Sequence, residues 1–386
     1  MLTTNSEKLI TQINQNVFYN EFTFDKTDFI TKDNKRVELA DNILWLDSLL
    51  IIIQIKERNT DKIDSLESLN KWFDNKVLNK AKEQIKNTNE WMKESDGIDI
   101  QNGHNHVSTL HYSNLKQIHN VIIYHINEAI PEGFDPEVKY RTQDGLFIHI
   151  LSSEDYYLIC RYLMTPTELH DFLNFREALL SYYPKLHLTE RYILAHYFHN
   201  SKDLEINTSY IDDLEIICTA IEQNDNKINL FPFLDKFRDS VVRTKDDNAY
   251  IEVVKELAKL NRQEIFWFKQ LLLDVIKCDT PDPCDIKATY ISRTGCAIII
   301  MKPKAEHYKY CENILRNNTE DYKYARRAAK GLGVIVKHDC GDVVLNWCLD
   351  SSPWKYNPEL EISSNGLLSL FKTNIVEEKN IYEILK

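Results

Sequence analysis

The residues best suited to chemistry lie within one stretch, Glu38–Arg58, which reads ELADNILWLDSLLIIIQIKER. Two apolar runs, Ile43–Leu46 and Leu49–Ile55, flank the polar pair Asp47 and Ser48. Short runs rich in Ile and Leu around a polar pair are typical of a β-hairpin. The sequence therefore predicts two antiparallel strands with their turn at this pair.

Three polar side chains would meet at the open end of that hairpin. A turn centred on Asp47 and Ser48 places Asp41 directly opposite Gln54. Because side chains alternate faces along a strand, Lys56 shares that face with both of them. A carboxylate, an amide oxygen and an ammonium group would then lie together on an otherwise apolar hairpin, which predicts a site.

The order Glu38-x-x-Asp41, twelve residues, then Gln54-x-Lys56 resembles the core motif of the PD-(D/E)XK nuclease superfamily. It is most similar to the Mrr-like restriction endonuclease branch, in which Gln can stand in the (D/E) position. The resemblance covers roughly residues 5–127 and implies an αβββαβ core. It also implies a deoxyribonuclease that depends on Mg²⁺ or Mn²⁺ and acts in restriction or antiviral defence.

The resemblance gives each candidate residue a role. Asp41 is expected to bind the metal, Gln54 to lend its carbonyl oxygen, and Lys56 to orient water or stabilise developing negative charge. Glu38 is a further candidate metal ligand, but a regular strand would turn it to the opposite face, so it requires a bend or bulge. Glu7, in the first predicted helix, is the alternative second carboxylate.

A second hypothesis stays open, because a neutral amide at position 54 should weaken metal binding. The chain would then be a catalytically degenerate nuclease fold that binds or senses nucleic acid. A third, purely structural interpretation is that Asp41 caps the end of a strand while Lys56 and Arg58 are solvated.

Two groups of residues are candidates for contact with DNA. In a predicted long helix, Lys76, Lys80 and Gln84 are spaced by four and form one polar stripe, whose alternative interpretation is an exposed helix face. Between residues 301 and 337, nine Lys or Arg stand against four Asp or Glu, with tyrosines interleaved. Such a basic island suits contact with a nucleic-acid backbone.

From the basic island, Arg326, Arg327 and Lys330 are the predicted phosphate contacts. The alternatives for this region are a helical pair with a charged face and a surface that forms a homodimer.

Length and composition set broad limits. A chain of 386 residues allows two or three domains, and its net charge of −12 argues against indiscriminate nucleic-acid binding without excluding a local basic groove. No apolar run approaches the roughly 20 residues of a membrane span, and the N-terminal sequence lacks the pattern of a secretory signal. Eight scattered cysteines favour reduced thiols, so we expect a cytoplasmic protein.

The predicted fold class is α+β, with a restriction-endonuclease-like core at 1–127, a mainly helical region at 128–277 and a small α+β domain at 286–386. In the core we expect a helix at 5–15, a strand at Val17–Phe24, the hairpin, a helix over Leu66–Met92 and a strand at His119–Ile126. A strand is predicted at 145–152, and helices at 153–163, 166–182, 189–199, 208–223 and 245–277. The last domain should contain a strand pair near 287–301, helices near 304–316 and 319–331, and a hairpin at 333–349 turning at Cys340 and Gly341.

Overall fold

The computed structural model describes residues 4–59, 65–228, 249–278, 284–339 and 342–368. These residues form a mixed α+β protein with two compact units, the first ending at Asp225 and the second beginning at Asn226. Among the helices so described, none combines the length and apolar character needed to cross a membrane. The turn predicted at Cys340 and Gly341 and most of the predicted boundary segment 278–285 lie outside these ranges.

The helices of the first part of the chain are listed here in order. They are α1 (Asn5–Phe18), α2 (Leu66–Trp72), α3 (Lys82–Glu94), α4 (Ser153–Tyr162), α5 (Pro166–Tyr182), α6 (Glu190–Asn200) and α7 (Tyr210–Ile228), and a π-helix, Phe73–Ala81, joins α2 to α3. The strands are β1 (Thr23–Lys26), β2 (Asp28–Ile30), β3 (Arg36–Glu38), β4 (Asn42–Leu46), β5 (Leu49–Arg58), β6 (Ile98–Asn102), β7 (Val107–Leu110), β8 (Gln117–Ile126), β9 (Lys139–Arg141) and β10 (Phe147–Ser152).

One mixed sheet organises this unit, with the strand order β7-β6-β1-β4-β5-β8-β10-β9. β4 and β5 are antiparallel, whereas β5, β8 and β10 run parallel to one another. A parallel pair requires a crossover, and the long helix between β5 and β8 provides it. β2 and β3 form a separate two-stranded sheet.

The β4–β5 hairpin has the predicted register. Asn42 pairs with Ile53 and Leu46 with Leu49, so Asp41 lies one step further, opposite Gln54. Asp47 adopts a φ of 52° in the turn, a left-handed conformation that Asp tolerates better than most residues. The apolar side chains that share the face of Asp41 enter one buried cluster, which includes Ile43, Leu50 and Ile52.

The predicted long helix is confirmed, but its π-helical middle was not predicted. Its buried residues recur at every fourth position: Leu69, Phe73, Val77, Ala81 and Ile85. In an α-helix of 3.6 residues per turn, such a row drifts by about 40° at each step. The wider turns of the π-helix oppose that drift and keep the row against the sheet.

Three short segments differ from prediction. Of the strand predicted at Val17–Phe24 only Thr23 and Phe24 are strand, since α1 continues to Phe18 and β1 begins only at Thr23. The aromatic residues between them are buried at the helix end and in a 3-10 turn, Asn20–Phe22. Segments 25–36 and 94–106, for which the sequence predicts neither helix nor strand, contain parts of the β2–β3 and β6–β7 hairpins.

The first unit also extends beyond the boundary predicted at 127. β10 pairs in parallel with β8, for example Ile150 with Ile122, so the sheet continues across that position. The helix predicted at 245–277 is two helices within its described part, α8 (Ala249–Ala258) and α9 (Arg262–Lys277), and both belong to the second unit. Asn261 caps α9, because its side chain accepts a hydrogen bond from the backbone of Glu264.

The second unit packs helices on a four-stranded sheet. Its further elements are β11 (Cys284–Ile291), β12 (Cys296–Pro303), α10 (Cys311–Ala325), β13 (Lys330–Asp339), β14 (Asp342–Asp350) and α11 (Pro358–Leu368). The strand order is β11-β12-β13-β14, with β12 and β13 parallel across α10. The predicted strand pair and hairpin are confirmed, but the helices predicted at 304–316 and 319–331 are the single helix α10 after a 3-10 turn.

Candidate active site

Asp41 and Lys56 meet just before β4 begins, where β5 extends past its pairing with β4 and remains paired only with β8. Oδ2 of Asp41 accepts a hydrogen bond of 2.5 Å from the backbone nitrogen of Ile55 and lies 3.4 Å from Nζ of Lys56. Nζ of Lys56 also donates to the carbonyl of Ile55 at 2.8 Å. The side chains of Asp41 and Lys56 are only 10% and 13% exposed. The pair is therefore fixed to the main chain of β5 and screened from most of the solvent.

Gln54 lies on the same face of β5, two residues before Lys56. Its side chain is buried, and its Oε1 accepts no hydrogen bond from any residue that the structure describes. A buried polar atom without a partner costs about 1–3 kcal/mol, and such atoms are rare in native proteins. The register places Gln54 opposite Asp41, and an amide oxygen and a carboxylate on one face are ligands that a hard cation takes.

Glu38 is the last residue of β3, from which the chain passes into the main sheet at β4. Its carboxyl is half-buried, and burial, reinforced by the charges of Asp41, Asp28 and Glu7, raises its pKa to about 7. The backbone changes course here, since β3 belongs to the separate two-stranded sheet and β4 to the main one. The negative charge of Asp41 is one cause of the raised pKa of Glu38.

Glu7 has a local structural role at the start of α1. Its Oε2 accepts a hydrogen bond of 2.8 Å from the backbone nitrogen of Thr4, and its own backbone donates to the Thr4 hydroxyl. This reciprocal arrangement is a capping box, which stabilises the first turn of a helix. Glu7 contributes to the electrostatic field at Glu38, but one of its oxygens is already engaged.

Buried amides that no motif predicted connect α1 to the hairpin. Nδ2 of Asn14 donates to Oδ1 of Asn42 at 2.7 Å, and the hydroxyl of Tyr156 donates to Oδ1 of Asn14 at 2.7 Å. All three side chains are buried. The one signal in the sequence is polar residues within otherwise apolar elements, because such residues must find partners inside the fold.

The polar stripe of the long helix is only partly accessible. Lys76 and Lys80 are exposed, but Gln84 is half-buried, and its Oε1 has no hydrogen-bond partner among the described residues. One turn later, Thr88 donates to the carbonyl of Leu39 at 2.5 Å. The end of the stripe at Gln84 therefore lies beside the segment that carries Glu38 and Asp41.

The three predicted phosphate contacts of the second unit, Arg326, Arg327 and Lys330, have different side-chain environments. Lys330 begins β13, and its Nζ lies 2.5 Å from Oε1 of the buried Glu256, so this lysine is committed to an ion pair. Arg326 lies over the ring of Tyr322 and donates to its hydroxyl. Arg327 is exposed beside the ring of Trp354. A count of charges along the sequence cannot distinguish these environments, and only the two arginines remain candidates for phosphate contact.

Within the described ranges, no three His, Cys, Asp or Glu side chains are grouped so that they could hold a metal ion. The candidate ligands Asp41, Glu38 and Gln54 are not such a group, because only two of them are carboxylates and the third is an amide. No protein-family model matches the sequence, and no significant similarity was found to curated proteins or to solved structures. What the site can do must therefore be judged from its own geometry.

The pKa of Glu38 leads to a prediction about stability. Because this pKa rises from 4.5 to about 7 on folding, the native state binds the proton more tightly, and the free energy of unfolding falls as the pH rises between these values. We expect Glu38→Gln, which mimics the protonated acid, to raise the melting temperature above pH 7 by about a few degrees and to have little effect below pH 4.5. Thermal unfolding in EDTA measures both; an identical shift at the two pH values would contradict the prediction.

Proposed function

We propose that this chain is a metal-dependent nuclease that hydrolyses phosphodiester bonds in DNA. The observation that carries the proposal is the buried, unpartnered Oε1 of Gln54 on the face that holds the Asp41–Lys56 pair. The amide oxygen of Gln54 and the carboxylate of Asp41 could both bind a cation. The ammonium group of Lys56, on the same face, could bind a phosphate. Each alone would be unremarkable, because isolated polar groups at strand ends are common.

The residues present fit a Mg²⁺ or Mn²⁺ ion. Asp41, Gln54 and Glu38 would hold it, since hard cations take oxygen ligands and one or two carboxylates with water suffice. Both hydrogen bonds to Asp41 go to Oδ2, which leaves Oδ1 without a donor among the described residues. When bound, such an ion supplies an activated water and neutralises charge on the phosphate.

Lys56 and Glu38 supply a positive charge and a titratable carboxyl group to the proposed reaction. The ammonium of Lys56 is held between Asp41 and the Ile55 carbonyl, from which it can stabilise negative charge on a phosphate oxygen. Because the pKa of Glu38 is about 7 in the metal-free chain, a proton and the metal ion would compete for this carboxylate near neutral pH.

The order of elements supports a restriction-endonuclease-like core. In chain order it consists of α1, β1, β4, β5, the long helix and β8, which matches αβββαβ once the β2–β3 and β6–β7 hairpins are both regarded as insertions. β1, β4 and β5 are antiparallel neighbours, and β8 joins β5 in parallel. A role in restriction or defence remains a prediction from the sequence resemblance.

A second candidate function is a nucleic-acid-binding or sensing module without catalysis. It is favoured by the hydrogen bond from Ile55 to Asp41, which caps a backbone N–H that β4 no longer pairs. On this view the carboxylate serves the strand, and the neutral Gln54 marks a lost metal ligand.

Nicking of supercoiled plasmid separates the two functions. We expect the purified protein to convert supercoiled plasmid to open circles in Mg²⁺ or Mn²⁺ and to leave it intact in EDTA. DNA binding without nicking in either metal would favour the second candidate, and the absence of both would contradict the proposal.

Gln54→Glu tests the metal ligand directly. Replacing the amide by a carboxylate adds an anionic ligand, so we expect about tenfold tighter binding of Mn²⁺ in calorimetric titration. Gln117→Glu, an equal charge change at the exposed start of β8, is the matched control and should leave the affinity unchanged. If Gln54→Glu binds Mn²⁺ no better than the wild type does, Gln54 is not a ligand.

A further inference from the structure

The β2–β3 hairpin leaves the main sheet directly beside the candidate active site. Its strands pair Asp28 with Glu38 and form a two-stranded sheet of their own. At its base, Thr27 donates from Oγ1 to the carbonyl of Ala40 at 2.5 Å and accepts from the backbone nitrogen of Ala40 at 3.2 Å. Because Asp41 is the next residue, the base of the hairpin and the site belong to one segment.

The hairpin is held as a defined projection. At its tip, the backbone nitrogen of Lys35 donates to Oγ1 of Thr31 at 3.1 Å, and the Thr31 nitrogen donates to the Lys35 carbonyl at 2.9 Å. Phe29 packs edge-on against Trp91 of α3, with ring centroids 5.7 Å apart. The neighbouring Ile30 is 70% exposed, so one side of the hairpin faces α3 and the other faces solvent.

Positive charge is concentrated at the tip of this projection. Residues 31–36 contain three Lys or Arg against one Asp, although the hairpin as a whole, Asp28–Glu38, carries three of each sign. Lys32 is exposed and forms no ion pair within the described part of the chain. Lys35 and Arg36 pair with Asp33 and Asp28, but these contacts are exposed. Exposed ion pairs contribute about 0–1 kcal/mol, so the two cations can exchange them for phosphates.

We infer that the β2–β3 hairpin is an arm that binds the phosphate backbone of duplex DNA and positions one strand at the active site. This inference rests on the proposed function, because it assigns a substrate contact to the same site. Three cations, Lys32, Lys35 and Arg36, carry the contact. Since phosphate contacts fix register without reading bases, the arm binds DNA independently of its sequence.

The test compares two triple variants of the full chain. Lys32→Ala/Lys35→Ala/Arg36→Ala removes the arm cations, whereas Lys185→Ala/Arg191→Ala/Lys202→Ala removes equal charge from exposed positions around α5 and α6. Binding to a fluorescent duplex is measured in EDTA over a series of salt concentrations. We expect the arm variant to bind about tenfold more weakly and to lose about two to three units of log–log salt slope. The control should change affinity by less than about twofold.

The outcomes separate the arm from the nuclease. If the wild type binds the duplex and the arm variant binds with the same affinity and salt slope, the arm inference is overturned and the proposed function stands. If the wild type binds no duplex, the proposed function is contradicted, and the arm inference that rests on it is overturned as well. Melting temperature and Mn²⁺ affinity of the arm variant should match the wild type, because all three side chains are exposed, and this excludes unfolding as the cause of weaker binding.

Discussion

Replacing Asp41 by Asn should lower the rate of metal-dependent nicking by about 10³-fold or more, because an anionic metal ligand supplies several kcal/mol of transition-state stabilisation. The same variant should lose less stability than Asp41→Ala does, because it removes only the charge that faces Lys56. An Asn side-chain oxygen can still accept the hydrogen bond from Ile55 that Oδ2 of Asp41 accepts at 2.5 Å. Plasmid nicking and urea unfolding measure the two properties independently.

Asp41→Ala is the comparison that separates catalysis from capping. It should lose nicking equally and should also lower the free energy of unfolding by about 1–3 kcal/mol, because the N–H of the buried Ile55 loses its acceptor. Nicking by Asp41→Asn at the wild-type rate would mean that Asp41 only caps β5. That result would favour the sensing module over the nuclease.

Arg176→Ala should destabilise the protein by about 3–5 kcal/mol, as expected when one partner of a buried ion pair is removed. Arg176 is fully buried, and its Nε lies 3.0 and 2.9 Å from the two carboxylate oxygens of Glu190. It also donates to the carbonyls of Val138 and Ile150. The substitution would leave the Glu190 carboxylate buried without its main partner, and burial already raises the pKa of this group.

The matched control for Arg176→Ala is Arg176→Met/Glu190→Leu, which replaces both charges by apolar side chains. It should recover most of the lost stability, because the cost arises from an uncompensated charge. Equilibrium unfolding in urea measures each variant. A loss below about 1 kcal/mol for Arg176→Ala would show that the pair contributes little to the packing of α5 and α6 against β10.

The hairpin and its register were predictable because both depend on residues that are close together in the chain. Two apolar runs around Asp47 and Ser48 specify the turn, and strand parity then places Asp41 opposite Gln54. The existence and length of the long helix were predictable for the same reason, since one apolar face recurs along it. These features involve residues close together in the chain.

Features that depend on distant partners could not be predicted in this way. Lys330 counted as a free cation in the sequence, but it pairs with Glu256, 74 residues earlier. The pairing of β10 with β8, which extends the first unit past 127, depends on strand order and not on local pattern. β2 and β3 were missed because three-residue strands with charged side chains carry no apolar periodicity.

Deleting one residue from the π-helix would convert it towards an α-helix and rotate all that follows by about 100°. Thr88 would then turn away from the Leu39 carbonyl, to which its hydroxyl donates at 2.5 Å, and Ile85 would leave the buried row. Substitutions at exposed positions in Phe73–Ala81, such as Asn79, would cause no such rotation. In related chains the exposed positions of this segment should therefore vary in composition, whereas its number of residues should be conserved. A gap there in an alignment should coincide with loss of the Thr88 contact to the segment that carries Glu38 and Asp41.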